Sequence, residues 1–217
     1  MATFSGHDLT CHRGARPVFH GLDFQVEAGG VLLLTGANGS GKTSLLRLMA
    51  GLARPRHGHV AWNGSDIADD PDAHGARVGY LGHLDTVKPH LSVAENLGFW
   101  CRLAGLADNA SAAADRALDA MGIARLADVP GRFLSAGQRR RVNLARVIAQ
   151  APEIWLLDEP TTALDAATTA ALGTVMAEAR AGGALMVCAT HVELGLADAP
   201  SLDLGDYAVV CDSGAAA

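Results

Sequence analysis

Gly36-Ala37-Asn38-Gly39-Ser40-Gly41-Lys42-Thr43, with Ser44 behind it, is the stretch on which the reading of the chain turns. It fits the pattern GxxxxGK[ST]. Before it runs the apolar Val31–Thr35. After it, Leu45, Leu46, Leu48 and Met49 recur at helical spacing, and Gly51 supplies a stop. A strand, a glycine-rich turn and a helix are therefore predicted in that order. Glycines let the backbone curl until successive N–H groups point inward at one anion. The start of the following helix adds roughly half a positive charge. Lys42 is one of only two lysines among 17 basic residues, the other being Lys88. A chain that otherwise uses arginine has a compact ammonium here, as a phosphate-binding position requires. The Thr43 hydroxyl is the candidate ligand for the Mg²⁺ that accompanies a nucleoside triphosphate such as ATP.

A phosphate loop needs an acid for the metal and a base for the water. Ile154-Trp155-Leu156-Leu157-Asp158-Glu159 supplies both. Its apolar run reads as a buried strand, which delivers Asp158 to the sheet edge where ligands bind in open α/β folds. Asp158 is the expected metal partner, and Glu159 the residue that orients and polarises the attacking water.

Outward from these two segments, residues 2–27 read as two strands joined by a turn at His12–Pro17. Residues 58–63 and 76–81 read as further strands. The region from Ser92 to Ala151 is helical, with breaks at Gly105, Gly122 and Pro130-Gly131. Strands are expected at Ile154–Leu157 and Ala184–Ala189 with a helix over Ala166–Arg180 between them, and two short strands at Ser201–Leu204 and Ala208–Cys211. The end, Gly214–Ala217, reads as frayed. Strands alternating with helices imply an α/β fold with a mainly parallel core sheet. An N-terminal antiparallel part and a helical subdomain at about residues 90–150 complete a single domain over residues 1–217.

Composition narrows the function classes. Hydrophobic residues make up 49% and charged residues 18%, as in a globular chain. The net charge of -6 argues against nucleic acid as a partner, and Arg139-Arg140-Arg141 is too short a run to reverse that. No apolar run approaches the ~20 residues of a membrane span, and no leader segment is recognisable. Cys11, Cys101, Cys188 and Cys211 form no CxxC pair and read as reduced thiols. His57-Gly58-His59 shares one strand face but lacks a third ligand, so direct haem or metal binding is not expected there.

Leu134-Ser135-Ala136-Gly137-Gln138, followed by Arg139 to Arg146, resembles the signature motif of the ABC ATPase family, with alanine at its third position. Ala163-Leu164-Asp165 resembles that family's D-loop, and Ala189-Thr190-His191 its switch histidine. In this order the motifs resemble the family over essentially the whole chain. The resemblance implies a P-loop NTPase of the ABC ATPase fold that hydrolyses ATP with Mg²⁺ and works as a head-to-tail homodimer. Ser135, Ala136, Gly137 and Gln138 of one subunit would contact ATP held by the other. It also implies integral-membrane partners docking near His83–Arg102, and a D-loop role for Asp165.

Two departures carry further information. His83 stands where the family usually has glutamine, and Arg13 where it usually has an aromatic residue against adenine. Histidine can still contact metal-bound water, and a planar guanidinium can still stack on a base. Together with the short chain and Leu91-Ser92-Val93-Ala94-Glu95-Asn96-Leu97, these features are similar to the ATP-binding subunits of the cytochrome c maturation (haem exporter) complex. That branch implies membrane partners of the CcmB/CcmC type and a peripheral position on the cytoplasmic face of the inner membrane. The residues leave open another ABC transporter, or a soluble ABC ATPase acting with an iron–sulfur scaffold.

Overall fold

The computed structural model describes residues 1–190 and 199–209. The chain opens with a hairpin, β1 (Thr3–Arg13) and β2 (Arg16–Glu27), followed by β3 (Val31–Thr35) and α1 (Lys42–Met49). Next come β4 (His57–Trp62), β5 (Ser65–Asp66), α2 (Pro71–Arg77) and β6 (Val78–Leu81). Three helices follow: α3 (Val93–Leu103), α4 (Ala110–Ala120) and α5 (Ala136–Gln150). β7 (Ile154–Asp158), α6 (Ala166–Ala181), β8 (Leu185–Ala189) and β9 (Ser201–Asp203) complete the regular elements.

The strands form two sheets. One is antiparallel with order β2-β1-β4-β5. The other has order β6-β7-β8-β3-β9, and all its pairings are parallel. Side-chain alternation on the parallel strands divides the interior in two. Leu32, Leu34, Ile154, Leu156, Leu185 and Val187 face α1 and the antiparallel sheet, where Phe4, Leu22, Leu45 and Met49 meet them. Val31, Trp155, Leu157, Met186 and Cys188 face the other way, toward α6 and the helices between β6 and β7. Leu45, Leu46 and Met49 are each fully buried, and burying a side chain of that size contributes about 1.5–3 kcal/mol. The stripe that predicted α1 is thus what fastens it.

Three details differ from the sequence reading. The turn of the first hairpin is tighter than His12–Pro17, because Arg13 still pairs with Arg16 and Gly14 takes φ 61°. Residues 76 and 77 are not strand: they end α2, whose N-cap Asp70 accepts from the Ala73 amide at 3.0 Å and whose first position is Pro71. At the end, Ala208 makes one isolated bridge with Phe19, while Leu204–Tyr207 form a 3₁₀ turn. Cys211 and Gly214–Ala217 lie outside the described residues.

Candidate functional site

Two elements of the parallel sheet end beside each other. β3 runs into the glycine-rich loop and β7 ends at Asp158. Gly36 and Gly41 adopt φ 119° and 112°. A Cβ on Gly41 would lie 2.6 Å from Val18 Cγ1, so both the turn and its fit against β2 demand glycine there. The Lys42 ammonium donates to the carbonyls of Gly36 (2.6 Å) and Ala37 (3.1 Å), folding it back over the loop. The Ser40 hydroxyl is buried and has no hydrogen-bond partner among the described residues. Asn38, Gly39, Gly41, Lys42, Thr43, His83, Asp158 and Glu159 line a cavity of about 250 Å³.

Asp158 is 1% exposed. Its Oδ2 accepts from Thr43 Oγ1 at 2.7 Å and faces His83 Nε2 at 3.2 Å. A hydroxyl, a carboxylate and an imidazole therefore converge, with no larger cage: among the described residues no group of three or more His, Cys, Asp or Glu could hold a metal. That donor set suits Mg²⁺, which is held by one or two protein oxygens together with phosphate and water. His83 is more than half exposed, so its ring has room to turn.

Glu159 follows the strand in a left-handed conformation, φ 48°, which costs a non-glycine residue of order 1–3 kcal/mol. Its amide donates to Ala189 O at 2.8 Å, tying the turn to the end of β8. Arg140 of α5 holds the same turn from the other side. Its Nη2 donates to the carbonyls of Asp158 (2.7 Å) and Glu159, and its Nη1 to Gly82 O at 2.9 Å. Burial lowers the Arg140 pKa, while the Asp158 and Glu159 carboxylates pull it back up. Counted only as charge, Arg140 gave no sign of this role. Its acceptors are backbone oxygens, which leave no mark on residue identity.

The remaining candidates occupy other places. Ser135 caps α5 in a capping box: its hydroxyl accepts from the Gln138 amide and Gln138 accepts from the Ser135 amide. The amides of Ala136 and Gly137 precede the first intrahelical bond and have no acceptor along the helix. None of residues 135–138 lines the phosphate-loop cavity. A Cβ on Gly137 would sit 3.2 Å from Ala163 O, so the signature segment and the Ala163–Asp165 turn are in close approach. Ala163 is itself left-handed at φ 62°. Asp165 caps α6 through the Thr168 amide (2.8 Å) and meets Arg141 at 2.7 Å, and these partners hold its pKa below the usual value. Arg13 lies at the end of β1, its Nε donating to the buried Ser44 Oγ at 3.1 Å. It is adjacent to α1 and outside the cavity lining. His191 lies outside the described residues. His57 pairs with Asp8 at 3.1 Å, and His59 lies beside His7, ring centres 5.1 Å apart.

Comparison with known proteins places this geometry in a family. The model of the ABC transporter family matches residues 19–162. The chain is 55% identical over 209 residues to the cytochrome c biogenesis ATP-binding export protein CcmA of Paramagnetospirillum magneticum, covering 96% of both chains. It is 52% identical over 207 residues to the protein of that name from Rhodospirillum rubrum, covering 95% of this chain and 88% of that one. Among solved structures, an ATP-binding subunit of an ABC transporter superposes with a TM-score of 0.78 at 25% identity, covering 87% of this chain and 79% of that one. A dimeric ATP-binding cassette in a post-hydrolysis state with ADP and Pi superposes with a TM-score of 0.76 at 24% identity, covering 87% of this chain and 88% of the other. This chain belongs to the ABC transporter family of ATP-binding proteins, in the branch of the cytochrome c biogenesis ATP-binding export proteins.

Proposed function

We propose that residues 1–217 form one ABC ATPase domain, with the helices at about 90–150 as its inserted subdomain, and that it drives a cytochrome c biogenesis export complex by hydrolysing ATP. The observation that carries this reading is the cavity shared by the phosphate loop and the Asp158–Glu159 turn, closed by the 2.7 Å bond from Thr43 to Asp158. In it, the amides of Gly36–Thr43 and the Lys42 ammonium bind the phosphates. Thr43 and Asp158 would hold Mg²⁺, with His83 beside them. When bound, that ion would supply positive charge against the phosphate oxygens. Glu159 orients a water in line with the γ-phosphate and accepts its proton. Ser44 extends the loop, and the Arg13 guanidinium, steadied by Ser44, lies flat against the adenine. His191 contacts the γ-phosphate.

Two copies pair head-to-tail, so that Ser135–Gln138 of one close over the nucleotide of the other and Asp165 lies at their junction. The exposed start of α5, with two amides free for an anion, suits that arrangement. Among the described residues no helix is long and apolar enough to cross a membrane. The membrane subunits of the complex are of CcmB/CcmC type, in keeping with the likeness to the CcmA proteins. They dock on His83–Arg102, where Trp100 and Thr86 line a groove of about 540 Å³ with Leu103, Leu52 and Arg146. The domain then sits peripherally at the cytoplasmic face of the inner membrane, and haem moves without touching it.

The test is genetic. Deleting the gene should abolish holo-cytochromes c while leaving b-type cytochromes intact, and the wild-type gene, but not a Lys42→Ala copy, should restore them. Normal c-type haem staining in the deletion strain would reject the assignment.

A further inference from the structure

Helix α5 carries the signature residues at its N-terminus, and two residues beyond Gln138 it carries Arg140. One guanidinium there bonds three backbone carbonyls in two loops: Gly82, next to His83, and the consecutive Asp158 and Glu159. We propose that Arg140 is the positioning residue for the hydrolytic base: it holds the strained Glu159 turn and the His83 loop in register with the signature helix. The proposal rests on the assignment of Glu159 as that base.

The geometry argues for positioning beyond mere packing. Glu159 sits at φ 48°, a conformation that persists only where its surroundings impose it. Its amide is held by Ala189 O, and its carbonyl accepts both from the Thr162 amide in the same turn (3.2 Å) and from Arg140, its bond to the signature helix. Loss of the guanidinium removes the tie between that carbonyl and α5 and leaves it the 3.2 Å bond from the Thr162 amide, which lies within the same turn and does not fix the turn against the helix. The fork matters as well as the charge. Nη2 bonds the two carbonyls at the end of β7 while Nη1 bonds the end of β6, a planar spread that a lysine ammonium cannot reproduce. From Ser135 to Arg140 the helix rises about 7.5 Å, so a shift at the signature segment arrives at the base with little slack. Occupation of one subunit's signature by the partner's nucleotide is thereby linked to the alignment of its own carboxylate.

Two variants of the full chain test this, Arg140→Met and Arg140→Lys, with ATP affinity, kcat and Tm measured on each. Both should bind ATP within about threefold of wild type, because the phosphate loop is untouched, while kcat falls at least thirtyfold. Arg140→Lys should keep its Tm within a few degrees, separating alignment from folding. Turnover within threefold of wild type in Arg140→Lys overturns the proposal. So does a loss of ATP affinity in that variant as large as its loss of kcat, and so does failure of both variants to fold. Glu159→Gln in the same assay keeps the two claims apart. If that variant turns over normally, the base assignment itself is wrong. If it is inactive while Arg140→Lys is normal, only the positioning role is lost.

Discussion

At the scale of single residues, the decisive contrast is between Asp158 and Glu159, adjacent acids with different surroundings. Asp158 is buried and bonded to Thr43, which suits a fixed metal partner. Glu159 projects from a left-handed turn at the cavity edge, which suits a group that must meet a water. If Glu159 is the base proposed above, replacing its carboxylate by an amide removes that base and keeps the shape. Glu159→Gln should therefore retain ATP binding and slow hydrolysis by at least ~100-fold, roughly 2.7 kcal/mol of barrier. The check is a single-turnover assay beside an equilibrium binding curve, and near-normal turnover would remove Glu159 from its role. Much of this was legible in the sequence, because a phosphate loop and a strand-end acid pair are written in residue identity and spacing. The part supplied by Arg140 was not, since a side chain that bonds carbonyls has no partner residue type to betray it. The neighbours in its run were equally silent: Arg139 meets Asp85 at 2.9 Å and Arg141 meets Asp165 at 2.7 Å, both far away along the chain.

At the scale of elements, α2 is the helix that the sequence hid. It has seven residues, contains Gly75, and shows no apolar stripe; its buried residue is a histidine. Asp70 before Pro71 was the available signal, and it outweighs pattern because a cap and a preset φ act locally. His74 is 2% exposed, stacks on Phe4 with ring centres 6.0 Å apart, and bonds Met49 O through Nε2 at 2.8 Å. Burial lowers its pKa below 6.5, the Met49 bond opposing and Arg77 assisting. The unfolded chain then takes up a proton near pH 6.5 that the folded chain refuses, so stability is present above that pH and is lost as pH falls below it. His74→Phe keeps the stack and deletes the titration. The wild-type Tm should drop between pH 7 and pH 5 by more than the variant's does, in thermal melts at fixed ionic strength. Parallel curves would show that His74 is not responsible. Helices α3 and α5, by contrast, were foreseeable at their starts, where Ser92 with Glu95 and Ser135 with Gln138 form complete capping boxes.

At the scale of the whole molecule, half of the proposed site is missing from a single copy, since Ser135–Gln138 do not line the cavity that Lys42 and Asp158 share. A bulky cation at the signature should therefore spare one function and destroy another. Ser135→Arg should bind ATP as wild type does, yet hydrolyse it at least ~100-fold more slowly. Combined with Glu159→Gln, it should prevent the ATP-dependent dimer, measured by light scattering on a sizing column. A stable dimer from the double variant would mean that the signature does not face the second nucleotide. The sequence grouped the phosphate loop with Asp158 and Glu159 through the chemistry they share, and assigned the signature to the other copy only through the resemblance; the physical cause of the grouping, the β6-β7-β8-β3-β9 strand order, is not written in spacing.

The scarcity of lysine has a practical corollary. Lys42 is 8% exposed and engaged with its own loop, and the ammonium of Lys88 lies 4.6 Å from the centre of the Phe99 ring. Lys88 is exposed, so amine-reactive crosslinkers and acylating labels will find little beyond that one side chain among the lysines of this subunit. In mass-spectrometric mapping of the proposed exporter, amine crosslinks would report contacts near Lys88, inside the proposed docking segment, and reagents aimed at guanidinium or carboxylate groups are the ones that can chart the rest.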